Sequence, residues 1–79
     1  MLHVKAPALV ISFASAVDAM QVEKNCRAEG LPGRLIPVPR EITAGCGLAW
    51  KAAPEDRDPI LTSLKAAGIS WQGVYVIDL

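Results

Sequence analysis

The sequence predicts an α+β fold in which four strands and two helices follow one another in the order βαββαβ. Three observations carry that reading. The run Ala8 to Phe13, ALVISF, is almost unbroken in its apolar character and has the length of a strand lying centrally in a sheet. Two segments with helical start and stop signals, 15–30 and 58–68, alternate with strand-like segments. Pro37 lies within the second strand-like segment, and because proline has no amide proton it confines that strand to a sheet edge. In a single domain of 79 residues, this order most simply gives the ferredoxin-like split βαβ arrangement. That arrangement is a four-stranded antiparallel sheet with both helices on one face, strand one central and strand two at the border.

Each element has its own local reason. Ser15 is placed to accept from the free amides at the start of the first helix, and Asp18 three residues on completes a capping-box pattern. Along that helix Ala19, Val22 and Cys26 recur on one face with Met20 beside them, while Gln21, Lys24 and Glu29 fall elsewhere; Gly30 ends it. GRLIPVP, 33–39, reads as the edge strand. GLAWKA, 47–52, alternates Leu48 and Trp50 against Ala49 and Lys51, the period of a strand with one buried face. For the second helix Asp58 is the expected cap, Pro59 the first helical residue, and Ile60, Leu61 and Leu64 the inward face. GVYVIDL, 73–79, is β-branched and aromatic and reads as strand four.

Composition removes several classes of function. Eight basic and eight acidic residues give a formal charge of zero, which argues against a surface that tracks nucleic-acid phosphates. The longest apolar run falls far short of the roughly 20 residues that span a bilayer, and it lacks a signal-peptide cleavage pattern, so neither membrane nor export is expected and the compartment reads as cytoplasmic. Two cysteines and one histidine are too few for a disulfide scaffold or an intrachain zinc site, and no cofactor motif is present.

The segment between strands two and three, IPVPREITAGCGLAW, is the unusual part. It crowds two prolines, an arginine and a Gly-Cys-Gly triplet into one connection. In the predicted topology this loop lies at the same end of the sheet as the start of helix one, where free amides and the helix dipole favour an anion. Cys46 is therefore a candidate nucleophile, with Arg40 as a cation that favours its thiolate. Gly45 and Gly47 remove steric cover from the sulfur and leave amides open to an anion. Cys26, on the inward face of helix one, reads as a packing residue.

Phe13, Ser15, Ala19-Met20 and Glu23, followed by the Pro39-Arg40 and Cys46-Gly47 pairs, are similar to a small bacterial family of selenium/sulfur carrier-like proteins. The resemblance covers essentially the whole chain. It implies a role in selenium or sulfur handling, with Cys46 bearing the chalcogen and donor and acceptor proteins as partners. On the residues themselves two readings stand. In the first, Cys46 takes a sulfur or selenium atom from a donor and passes it on, with Arg40, Pro39, Gly45, Gly47 and Ser15 forming the binding surroundings. In the second, the 39–47 loop binds an anionic ligand or a partner protein and Cys46 is incidental. A metal carrier sharing Cys46 between subunits lacks a second soft ligand nearby, and a self-sufficient enzyme lacks an acid/base pair.

Overall fold

An apolar strand can be buried on both faces only if its alternate side chains find separate layers. In the computed structural model, which describes residues 5–42 and 46–79, this is the situation of the first strand. The elements run β1 (Pro7–Ser12), α1 (Ala16–Glu29), β2 (Arg34–Pro37), β3 (Leu48–Ala52), a single 3₁₀ turn (Pro54–Asp56), α2 (Arg57–Ala66) and β4 (Gly73–Asp78). The sheet order is β2-β3-β1-β4, every adjacent pair antiparallel. This is the α+β, ferredoxin-like arrangement read from the sequence. β1 is hydrogen-bonded on both sides, with Leu9 opposite Ala52 and Val76. β2 pairs only with β3, so Pro37 lies on an edge, opposite Leu48.

Both helices cover the same face of the sheet. Leu9, Ile11 and Phe13 from the β1 side, and Trp50 and Ala52 from β3, pack with Ala19, Val22 and Cys26 of α1 and Ile60 and Leu64 of α2. The other face carries a smaller cluster made without any helix: Val10, Ala49 and Ile42 are buried, with Ile36, Val38, Ile77 and Leu79 packed around them. Alternation along β1 and β3 thus divides the two layers residue by residue. Among the described residues no helix is long and apolar enough to cross a membrane.

Helix boundaries follow from local chemistry. Ser15 Oγ accepts the Asp18 amide at 3.2 Å, which caps α1, and the Asp18 carboxylate sits in the first turn where the helix dipole favours it. Both helices end in the same motif. The Leu31 amide donates to the Cys26 carbonyl and the Ile69 amide to the Leu64 carbonyl, each an apolar residue just past a glycine that folds back toward the core. A side-chain bond of 2.9 Å from Asn25 Nδ2 to Ser63 Oγ ties the helices together.

Three details differ from the sequence reading. The edge strand is Arg34–Pro37, shorter at both ends than 33–39. The second helix starts at Arg57, directly after the 3₁₀ turn, so Asp58 is inside the helix and Pro59 is its third residue. That position costs nothing, because the first amides of a helix have no intrahelical acceptor to lose. Met20 does not flank the buried face; it is 61 % exposed.

Gly33 shows how closely the edge strand approaches the core. Its φ is +127°, and a Cβ there would fall 2.6 Å from Trp50 Cε2 and 2.7 Å from the Lys51 carbonyl oxygen. Backbone cannot move aside as a flexible side chain can. Gly33→Ala is therefore predicted to cost about 3 kcal/mol, from strained φ and the clash together. Gly30→Ala, at φ +69° with open space around it, should cost only about 1 kcal/mol. Urea unfolding of the two variants distinguishes them, and equal losses would remove the Gly33–Trp50 approach as a constraint.

Candidate functional site

β1 and β2 both end at the edge of the sheet where α1 begins, and the 38–47 connection leaves from that edge. The Val38 amide donates to the Gly47 carbonyl at 2.9 Å, which continues the β2–β3 ladder by one pair and clamps the two ends of the loop together. Beyond the clamp, Pro39 to Ile42 form a β-turn closed by the Ile42 amide on the Pro39 carbonyl at 3.0 Å, with Arg40 and Glu41 exposed at its tip. Ile42 then drops into the cluster on the open face of the sheet. Pro39 thus serves the turn, and the turn serves to present Arg40.

Cys46 belongs to the other side. It is half-buried and packs against the helix-side core. Its sulfur accepts the Leu48 amide at 3.4 Å, and its thiol donates to the Leu48 carbonyl at the same distance. Gly47 between them has φ +76°, the left-handed region in which an L side chain is strained, and a Cβ there would meet nothing within 4 Å. The requirement at Gly47 is thus conformational and not steric.

The sequence-predicted site residues are thereby divided. Cys46, Gly47 and Ser15 lie at one end of the sheet together with the start of α1, although the Ser15 oxygen is already engaged as the helix cap. Arg40 shares the loop but is carried toward the opposite face; among the described residues it makes no side-chain hydrogen bond or ion pair, with Cys46 or any other group. Gly45 lies outside the described residues. Among the described residues, no three His, Cys, Asp or Glu side chains are grouped to hold a metal.

Sequence reasoning missed one feature at this end. Val17 and Met20, one turn apart on α1, are 63 % and 61 % exposed and form an apolar patch on the helix that starts beside the loop. The i, i+3 spacing of two apolar residues was visible, but the same spacing describes a core-facing pair, and only the position of the sheet tells them apart.

The two thiols are in different environments. Cys26 is fully buried, and burial pushes its pKa above the ordinary 9.0. A protonated, inaccessible sulfur does not react. Iodoacetamide applied to the native protein is predicted to modify Cys46 first, with Cys26 protected until the chain unfolds. Peptide mapping after brief labelling gives the order, and Cys26 labelled as fast as Cys46 would contradict the packing described.

A protein-family model described as "Putative Se/S carrier protein-like" matches residues 8–76, from β1 into β4 and across the whole loop. No curated protein and no solved structure matches the chain.

Proposed function

The chain belongs to the Se/S carrier protein-like family, and from that premise we propose that it is a carrier that holds a sulfur or selenium atom on Cys46 and hands it to a partner protein. The observation that carries this reading is the setting of the Cys46 sulfur: only half-buried, in a loop, and held by the Leu48 amide, while the other thiol is fully buried. A carrier needs one accessible thiolate and room for one more atom, and the rest of the chemistry comes from its partners.

The transfer balances without an external oxidant. The Cys46 thiolate attacks the outer chalcogen of a donor persulfide or selenosulfide. A bond forms from Sγ to that atom while the donor's S–S or S–Se bond breaks, and the electron pair leaves on the donor thiolate. An acceptor thiolate then repeats the step on the loaded Cys46, which returns to a thiolate. Cys26, fully buried on the inward face of α1, is closed to a donor and does not compete for the chalcogen. The Leu48 amide, which the sulfur already accepts, supports the negative charge. The exposed Val17 and Met20 offer the partner an apolar contact on the helix that begins at this end of the sheet, near Ser15.

Arg40 is assigned to the approaching partner and not to the thiol. Its place at the tip of the Pro39–Ile42 turn suits a cation that meets the anionic group of a donor before transfer. Arg40→Gln should then leave the rate of alkylation by neutral iodoacetamide unchanged and slow alkylation by anionic iodoacetate about twofold to threefold at low salt. Equal slowing with both reagents would place Arg40 on the thiol itself.

Loading is tested by whole-protein mass spectrometry after incubation with a small-molecule persulfide donor. Wild type and Cys26→Ala should gain the mass of one sulfur atom and lose it on addition of an acceptor thiol. Cys46→Ser should gain nothing. Retention of the added sulfur by Cys46→Ser would end the carrier reading for this residue.

A further inference from the structure

Two cations stand directly opposite one another at the far end of the sheet from Cys46. Arg34 in β2 is the register partner of Lys51 in β3, so both side chains rise from the same face, the one without helices. They are the only charged residues in β1, β2 and β3. Like charges at directly opposed positions destabilise a sheet, and such a pair is normally relieved by a neighbouring carboxylate. Among the described residues no ion pair joins either cation to an acidic group.

The pair opens onto a groove of about 540 Å³ whose other walls include Ala6, Ala8, Gly33 and Ala53. No acidic side chain lines it. The charged side chains that line it are therefore both hydrogen-bond donors: a guanidinium fork and an ammonium. Small alanines and a glycine keep the floor open.

We propose that this groove binds a phosphate group between Arg34 and Lys51. A guanidinium fork grips two oxygens of a tetrahedral oxyanion and the ammonium neutralises the remaining charge, so both like charges are attracted to one shared dianion. The site is separate from Cys46, with which it shares no residue, and stands or falls without it. Its ligand is inorganic phosphate or the phosphate of a small phosphomonoester, which present the same oxygens.

The test is a titration of the isotope-labelled chain with inorganic phosphate, followed by two-dimensional amide NMR, against sodium chloride at equal ionic strength. Saturable shifts are expected at Gly33, Arg34, Lys51, Ala52 and Ala53. Arg34→Gln and Lys51→Gln, both at solvent-accessible positions, should each weaken binding about tenfold. As a second readout, phosphate should raise the melting temperature of wild type more than chloride does, and should lose that advantage in the double variant. A small phosphomonoester added in a parallel arm separates the two sources: tighter saturation than inorganic phosphate assigns the site to the ester. Shifts that rise linearly without saturation, or that persist in the double variant, overturn the site. Saturation by a hexaglutamate peptide with no response to phosphate would also overturn it, and would assign the groove to an acidic protein segment.

Discussion

The double pairing of β1 is the constraint on which the rest of the molecule depends. A strand hydrogen-bonded on both edges and buried on both faces must have two separate layers to bury against. Leu9, Ile11 and Phe13 supply one layer by calling both helices to the same face, and Val10 supplies the other by drawing Ile42 back over the sheet. Remove the second layer and the turn that carries Arg40 has no anchor. Remove the first and Cys46 has no wall to rest on. The position of the 38–47 loop is thus a consequence of how one six-residue strand is covered.

The loop itself works as a clamp with two arms. The Val38–Gly47 hydrogen bond holds its ends one pair beyond the strands, so neither arm needs regular structure to be fixed in place. One arm makes a closed turn and ends in a buried isoleucine; the other bends through a left-handed glycine and ends in a sulfur tied to the next strand. Cation and thiol are thereby attached to different arms of the loop, with no hydrogen bond or ion pair between them among the described residues. A direct Arg40–Cys46 ion pair would hold the thiolate, yet it would also have to break before every transfer.

Much of this was legible in the residues. The strand run Ala8–Phe13, the Ser15 cap, the terminating glycines and the edge proline are local signals, each with a single physical cause, and together they lead to the topology. The burial of Cys26 followed from its helical spacing. What could not be read was anything decided by two distant segments at once. The outward turn of Met20, the early start of α2 at Arg57 and the division of Arg40 from Cys46 all depend on where the sheet lies relative to the segment in question. The Arg34–Lys51 pair was equally invisible, because register joins residues that lie far apart in the chain.

The central claim is that the chalcogen rides on Cys46, and the site of the added atom in the wild-type chain decides it. Trypsin separates the two cysteines cleanly, Cys26 into the peptide Asn25–Arg27 and Cys46 into Glu41–Lys51. After exposure to a persulfide or selenosulfide donor and capping of the loaded thiol, the added atom should be found on Glu41–Lys51 and absent from Asn25–Arg27. An added atom on Asn25–Arg27, or none on either peptide, would contradict the account.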